Sequence, residues 1–275
     1  MKYSFIISYR NREYHLKTIV PRIREIMAGK DFEIIVSEQA DQHIFRQYNL
    51  DNVGAQIANG DIFVFHDVDY YPVDVEYWND NWRTTPGEDS GVLPQVFLPA
   101  AKVIFVDKNM QPKPIEQVPG GYQHFRDGVD SRMGIKQGEE SFFGGCLVFP
   151  RITFERVNGF CPVYKGWGPG DVDMRVRLHH YQVGYIRSKT GLFYALDHPD
   201  SGPAANDPVF IQNQSLLGRI GLNLEEGLRS KYQPPRKLVT PKLDGVDIWV
   251  ESTNHDAPPP KSHIVSSFNM TEGEE

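Results

Sequence analysis

The chain has 275 residues and a mass of 31.4 kDa, and 40% of its residues are hydrophobic, which is enough for a globular protein with a sizeable core. Its net charge is −7 and its isoelectric point is near 5.7. This acidic balance argues against a nucleic-acid-binding protein, because neutralising phosphate groups requires a basic face. No apolar stretch reaches about 18 residues and the first residues lack a signal-peptide pattern, so we expect a cytoplasmic protein without a transmembrane segment.

The first 66 residues alternate between strand and helix patterns. Apolar runs at 3–8, 32–37 and 61–66 are too short for helices and predict buried strands. Between them, apolar residues recur every three or four positions over 16–27 and 45–57, which predicts two helices. Strands that alternate with helices are typical of a parallel sheet with right-handed crossovers. The predicted fold class is therefore α/β, with a Rossmann-like, mostly parallel central sheet flanked by helices.

The rest of the chain is less regular. Residues 74–141 contain many prolines and are predicted to be an insertion with one or two strands. Residues 142–231 contain a strand opened by two glycines, a short helix and further strands. Residues 232–275 are rich in proline and small polar residues and are expected to form a loose tail. We therefore expect one domain over 1–231, whose first half is 1–72.

The tripeptide Asp-Val-Asp occurs twice, and its first copy directly follows the third predicted strand. Asp67 and Asp69 are two positions apart, so on extended backbone both face the same side. Ligands of such sheets bind beyond the carboxyl ends of the strands, where carboxylates can bind Mg²⁺ or Mn²⁺ and so hold a diphosphate. The alternative is that both acids are solvated turn residues. His66 points to the other side and is expected to be structural.

The second copy, Asp171 and Asp173, follows a glycine-rich segment that contains Trp167. A backbone of this kind can bring an aromatic face and a carboxylate close to a ligand, as sugar-binding sites often require. The residues after Asp171 alternate as in a strand, but an acid after a glycine loop favours a helix N-terminus, which is our prediction. The simpler alternative is a helix cap without any chemistry.

Seven segments, in this order, resemble the β-1,4-galactosyltransferases and related glycosyltransferases of A-type fold. They are IISYRNREYHL (6–16), NVG (52–54), DIFVFHDVDYYP (61–72), FFGGCLVF (142–149), FERVNGF (154–160), YKGWGPGDVD (164–173) and ALDH (195–198). The resemblance implies a single A-type catalytic domain over 1–231. Residues 1–72 would be its nucleotide-binding half, and 142–231 would be its acceptor-binding and catalytic half.

The resemblance also implies an inverting, metal-dependent transfer of a hexose, galactose or N-acetylgalactosamine, from a UDP-sugar to a hydroxyl of a glycan or another acceptor. The donor would contact Tyr9, Arg10, Arg12, Phe45, Asp67, Asp69, Gly145 and Trp167. Mn²⁺, with Mg²⁺ as the alternative, would be bound by Asp67, Asp69 and His198. Asp171 would be the catalytic base that takes the proton of the acceptor hydroxyl. The acceptor would contact Phe142, Tyr164, Trp167, Gly170, Asp171 and Val172.

The sequence departs from the family pattern after the tryptophan. The family usually has Gly-Gly-Glu-Asp-Asp-Asp there, whereas this chain has Gly170 in place of the Glu and Val172 in place of the middle Asp. Ala195 replaces a methionine that often binds the metal. Because the two missing acids hold the acceptor in the family, a different acceptor is implied. The missing stem and membrane anchor lead us to expect a microbial or viral cytoplasmic enzyme.

Two other functions remain open on the sequence alone. One is a catalytically inactive module that binds nucleotide sugars or glycans, which the missing acids would explain. The other is a metal-dependent nucleotidyltransferase, since Asp-X-Asp after a strand serves there as well. It has less support, because no glycine-rich phosphate loop follows the first strand.

Overall fold

The computed structural model describes the chain in ten stretches. They are residues 1–39, 43–78, 93–114, 143–166, 168–197, 207–217 and 227, and the strand residues 236–238, 246–250 and 261–265. The elements in chain order are β1 (Tyr3–Tyr9), α1 (Glu13–Ile26), β2 (Phe32–Glu38), α2 (Gln47–Ile57), β3 (Ile62–His66), β4 (Tyr70–Asp74), β5 (Val96–Leu98), β6 (Lys102–Val106), β7 (Cys146–Pro150), α3 (Arg151–Arg156), α4 (Gly170–His180), β8 (Tyr185–Arg187), β9 (Leu192–Leu196), α5 (Pro208–Leu217), β10 (Arg236–Leu238), β11 (Val246–Val250) and β12 (Lys261–Val265).

A nine-stranded sheet forms the centre of the fold, in the order β10-β11-β12-β2-β1-β3-β7-β5-β8. The central strand β1 pairs in parallel with β2 and with β3, and β7 joins β3 in the antiparallel direction. All residues of β2 and β3 are buried, as expected for strands covered on both faces. The predicted α/β fold with parallel strands at its centre is therefore confirmed.

The alternation of side chains along β1 divides the core into two layers. Phe5 and Ile7 belong to the cluster that α1 covers, whereas Ile6 belongs to the cluster that α2 covers. In the second cluster, Phe65 packs against Phe154, with ring centroids 4.6 Å apart. Both faces of the sheet are thus fixed by apolar packing, which leaves the ends of the strands for polar groups.

The region predicted as an insertion supplies strands to the fold. Strand β5 lies between β7 and β8 in the main sheet. Strand β6 pairs in parallel with β9, and β4 pairs with β9 in the antiparallel direction, so these three strands form a second sheet. The described part of 74–141 thus supplies β5 to the main sheet and β6 to the second sheet.

The prediction of a loose tail over 232–275 is wrong in three stretches. Strand β12 pairs in the antiparallel direction with β2, and β11 and β10 continue the sheet outward from it. The physical reason is the free edge of β2, whose backbone N–H and C=O groups are satisfied by the added strand.

Among the helices that the structure describes, none is both long and apolar enough to cross a bilayer.

Candidate active site

The first Asp-Val-Asp lies where β3 ends and the chain turns into β4. The backbone N–H of Asp67 donates to the carbonyl oxygen of Gly145 at 2.8 Å, and the N–H of Tyr70 donates to the carbonyl of Asp67 at 3.2 Å. Gly145 has a φ of 72°, and a Cβ atom at this position would overlap the ring of Tyr70. Glycine is therefore required at 145 by the positive φ and by the close approach of the Tyr70 ring.

The structure places His66 in the structural role expected from the sequence. Its side chain is 2% exposed, with Nε2 3.0 Å from the hydroxyl of Tyr77 and Nδ1 2.9 Å from the carbonyl oxygen of Asp67. Burial lowers the pKa of His66 to about 4, so the imidazole is neutral at pH 7. The ring thus supports the turn that carries the carboxylates.

Three of the predicted site residues, distant in sequence, line one cavity. They are Asp67 after β3, Gly145 before β7 and Asp171 in the first turn of α4. The other lining residues are Gln47, Tyr48, Asp51, Phe65, His66, Gly144, Leu147 and Phe160. The cavity lies beyond the carboxyl end of β3, where ligands bind in sheets of this kind.

Carboxyl groups dominate the electrostatics of this cavity. Burial raises the pKa of Asp67 well above its usual value. The negative charges of three nearby carboxyl groups raise it further, in the order Asp69, Asp171 and Asp51. Against these, the side-chain amide of Gln47 donates to Oδ1 of Asp67 at 2.6 Å and lowers the pKa. A site of this kind favours a cation or hydrogen-bond donors as its ligand.

The two other acids of the cavity are also perturbed by burial. Burial raises the pKa of Asp171 to about 7, although a hydrogen bond of 3.4 Å from the Tyr48 hydroxyl opposes the shift. Burial raises the pKa of Asp51 to about 8, and the Ser8 hydroxyl donates to it at 2.5 Å. A carboxyl group with a pKa near 7 can exchange a proton at neutral pH, as a general base must.

The predicted helix start at the second Asp-Val-Asp is confirmed. Pro169 is the residue before the helix, and Asp171 and Asp173 lie in its first turn. Gly170 is buried, and a Cβ atom there would overlap the ring of Tyr48. The space that the glutamate side chain of the family pattern would require at this position is thus filled by an aromatic ring from α2. Val172, at the position of the other missing acid, is partly exposed.

Tyr164 lies in the core beside Asp173. Its side chain is 1% exposed and does not line the cavity, and its hydroxyl donates to Oδ1 of Asp173 at 3.1 Å. Oδ2 of Asp173 accepts from Nε of Arg177 at 2.6 Å, and both of these side chains are buried. Tyr164 therefore supports the ion pair inside α4. Its contact with an acceptor stays a prediction.

The arginine motif after β1 lies beside the segment that contains Phe45. The guanidinium of Arg10 lies over the Phe45 ring at 5.3 Å and donates to the carbonyl oxygen of His43. Tyr9 is partly buried, and burial, followed by the charge of Glu38, raises its pKa to about 12. Arg12 precedes the first residue of α1. These residues are near one another in the fold but do not line the cavity that contains Asp67 and Asp171.

The candidate metal site is described in part. The backbone N–H of Leu196, in β9, donates to the carbonyl oxygen of Asp69 at 2.7 Å, so the chain after β9 leaves the sheet next to the first Asp-Val-Asp. His198, two residues further on, lies outside the described residues, as do Phe142 and Trp167. Within the described stretches, no three His, Cys, Asp or Glu side chains form a metal-binding group.

Sequence reasoning missed the contribution of α2 to the cavity. Gln47, Tyr48 and Asp51 line it from this helix, and Ser8 bonds to Asp51. Gln47 and Asp51 are four residues apart and so lie on one helix face, which was the available signal. Asn213 of α5, whose side-chain amide lies against the backbone at Gly168, was missed as well.

The fold is that of the glycosyltransferases of A-type. The catalytic domain of Drosophila β1,4-galactosyltransferase 7 in complex with xylobiose matches with a TM-score of 0.55 and 21% identity, over 86% of this chain and 88% of that one. A mutant of the same domain in complex with manganese, UDP-Gal and xylobiose matches equally well. At this identity the likeness shows the fold alone.

Sequence comparisons give the family. Residues 1–79 match the N-terminal region of glycosyl transferase group 7, and residues 124–199 match a family described as the N-terminal domain of galactosyltransferase. The chain belongs to the β-1,4-galactosyltransferase-like glycosyltransferases, as the resemblance predicted.

Two curated relatives illustrate the match. A β-N-acetyl-D-glucosaminide β-1,4-N-acetylglucosaminyl-transferase of Lymnaea stagnalis is 29% identical over 209 residues, which is 73% of this chain and 35% of the relative. Mouse β-1,4-galactosyltransferase 4 is 29% identical over 212 residues, 74% of this chain and 51% of the relative. The chain thus spans between a third and about half of the length of these relatives.

Proposed function

We propose that this chain is a metal-dependent, inverting glycosyltransferase that transfers a hexose from a UDP-sugar to an acceptor hydroxyl. The observation that carries the proposal is the meeting of Asp67, Gly145 and Asp171 in one cavity beyond the end of β3. Each comes from a different part of the chain, and each matches a different role in the family. Galactose or N-acetylgalactosamine is the proposed sugar, with the UDP-Gal complex of the structurally similar Drosophila domain as support.

The donor would extend from the arginine motif into the cavity. Tyr9, Arg10, Arg12 and Phe45 would hold the uridine diphosphate, because a guanidinium offers paired donors to phosphate oxygens and an aromatic ring can stack on a base. The contact between Arg10 and Phe45 puts both kinds of group in one place. The sugar would lie beside Asp67 and Gly145, and Trp167 is proposed to contact the donor.

The residues present fit a divalent cation. The charges of Asp69 and of the other nearby carboxyl groups raise the pKa of Asp67, and a bound cation would relieve this repulsion. His198 would add an imidazole, since β9 ends beside Asp69. Carboxylates with one imidazole suit Mn²⁺, with Mg²⁺ as the alternative. When bound, the cation would offset the negative charge on the departing UDP.

Asp171 would act as the general base. The acceptor oxygen would form a bond to C1 of the sugar while its proton passes to the Asp171 carboxylate and the bond from C1 to UDP breaks. A single displacement of this kind inverts the configuration at C1. The hydrogen bond from Tyr48 would hold Oδ1 of Asp171, which leaves Oδ2 for the acceptor hydroxyl. Val172 and Gly170, in place of two acids, would leave the acceptor site less polar than in the family.

The proposal is tested by measuring UDP release from UDP-galactose and UDP-N-acetylgalactosamine, with and without Mn²⁺, across a panel of glycan acceptors. We expect acceptor-dependent UDP release that requires the cation. UDP-sugar binding without turnover for any acceptor would support the inactive binding module instead. Release of pyrophosphate from a nucleoside triphosphate would support the nucleotidyltransferase.

A further inference from the structure

Helix α5 packs against the core through Leu216, but its buried residue is polar. Asn213 is 2% exposed and is the buried residue of this helix, whereas Ile211 in the same helix is 55% exposed. A helix that serves only to cover the core buries apolar side chains, and a buried amide costs free energy unless its hydrogen bonds are made. The position of Asn213 therefore indicates a specific polar contact.

That contact is with the segment that leads to the candidate catalytic acid. Nδ2 of Asn213 donates to the carbonyl oxygen of Lys165 at 2.7 Å, and its Oδ1 accepts from the N–H of the same residue at 3.4 Å. One side-chain amide thus pairs with both backbone groups of Lys165. The arrangement resembles the pairing between neighbouring strands, and it fixes the direction of the backbone as well as its position.

The side-chain amide of Asn213 also lies against the backbone at Gly168. A Cβ atom on Gly168 would lie 2.5 Å from Nδ2 and 3.1 Å from Cγ of Asn213. Glycine is therefore needed at 168 for the amide to approach this closely. Asn213 contacts the chain on both sides of position 167.

Two further contacts hold the segment from the donor side. The N–H of Gly166 donates to the carbonyl oxygen of Phe45 at 2.6 Å, and Gly170 packs against the ring of Tyr48. Lys165 and Gly168 are thus held by α5, Gly166 by the Phe45 segment and Gly170 by α2. Asp171 follows directly, so its position depends on these contacts.

We propose that Asn213 is a positioning residue for glycosyl transfer, which fixes the backbone at Lys165 and Gly168 and thereby places Asp171 against the acceptor hydroxyl. This inference rests on the proposed function. Asn213 does not line the cavity that contains Asp67 and Asp171, so it would act through the backbone of Lys165 and Gly168 rather than by contact with a substrate. A displacement of the base by about 1 Å can lower a rate about a hundredfold, because proton transfer requires hydrogen-bond distance.

The test compares Asn213→Ala and Asn213→Asp with Gln212→Ala and Gln214→Ala, which remove exposed amides from the two neighbouring positions of the same helix. The measurements are kcat and KM for UDP-galactose with Mn²⁺, and UDP affinity by calorimetry. We expect both Asn213 variants to lose about tenfold to a hundredfold in kcat. Their UDP affinity should stay within about twofold of the wild type, and the two Gln variants should be unchanged.

A purely structural role for Asn213 would lower thermal stability and leave kcat per folded molecule unchanged, and this result would overturn the proposal. Equal losses of kcat in the Gln212 and Asn213 variants would overturn the proposal as well. Hydrogen exchange of the amides at 165 and 166 is a second readout that needs no turnover. It should be faster in Asn213→Ala, and unchanged exchange would contradict the inference even if the wild type transferred no sugar.

Discussion

The hydroxyl of Tyr48 in α2 donates a hydrogen bond of 3.4 Å to Oδ1 of Asp171 in the first turn of α4. This bond joins two residues that are 123 positions apart, and it opposes the effect of burial, which raises the pKa of Asp171 to about 7. The same ring occupies the space beside Gly170. Tyr48 therefore affects both the ionisation of the candidate base and the shape of the site around it.

Replacing Tyr48 with Phe should shift the pH dependence of transfer. The base must be ionised to accept a proton, so kcat/KM should rise with pH through about 7 in the wild type and then level off. Loss of a donor to the ionised carboxylate raises its pKa, so the profile of Tyr48→Phe should move to higher pH. We expect a loss of about threefold to tenfold at pH 7, and little loss at pH 9. Tyr14→Phe, an exposed tyrosine on α1, is the control. Identical profiles for all three proteins would contradict the role of this hydrogen bond.

Asp51 should make the metal-free protein less stable as the pH rises. Its pKa of about 8 in the folded chain exceeds the value of about 4 for an unfolded aspartate, so the folded state keeps a proton that the unfolded state loses. The free energy of unfolding should therefore fall between about pH 4 and pH 8. Asp51→Asn can still accept the Ser8 hydrogen bond but does not titrate, so its melting temperature should fall less over this range. Asp31→Asn, which changes an exposed acid, should keep the wild-type slope. Equal slopes for Asp51→Asn and the wild type would contradict the prediction.

Gly170→Glu alone should not restore the family pattern. A side chain at 170 would overlap the Tyr48 ring, and we expect a loss of about 2 kcal/mol or more in the free energy of unfolding. Tyr48→Ala should open a cavity and also destabilise the protein. Because the two positions share one space, the double variant should be more stable than the sum of the single changes predicts. Additive losses, measured by urea unfolding, would mean that the two side chains do not compete for this space.

Mn²⁺ should raise the melting temperature through Asp69. A ligand that binds only the folded state stabilises it by about 2.7 kcal/mol at a hundred times its Kd. The stabilisation should be lost in Asp69→Asn and kept in Asp74→Asn, which changes an exposed acid at the other end of β4. If Mn²⁺ raised the melting temperature of both variants equally, the cation would bind at a site that does not include Asp69.

Much of the nucleotide-binding half could be predicted from the sequence. The strands and helices of the first 66 residues follow from local periodicity, because the spacing of apolar residues marks the face of each element that is buried in the core. The position of Asp67 at a strand end followed from the same pattern. Its meeting with Asp171 could be inferred only from the family resemblance, since no local pattern brings together residues so distant in the chain.

The errors have physical causes. Strand β12 was missed because its pairing depends on the free edge of β2, while the composition of 232–275 as a whole indicated disorder. The hydrogen bond from Tyr164 to Asp173 was not foreseen, because the motif that contains Tyr164 indicated only a contact with the acceptor. Asn213 was missed because its pairing with Lys165 joins residues 48 positions apart and leaves no periodic signal.

The most direct test of the account is the rate of sugar transfer by Asp171→Asn at saturating UDP-sugar and Mn²⁺. The variant keeps the shape of the side chain but cannot accept the proton, so we predict a loss of about a thousandfold in kcat. UDP-sugar affinity, measured by calorimetry on the same preparation, should stay within about twofold of the wild type. Transfer at the wild-type rate by this variant would contradict the assignment of Asp171 as the base, and with it the proposed role of the cavity.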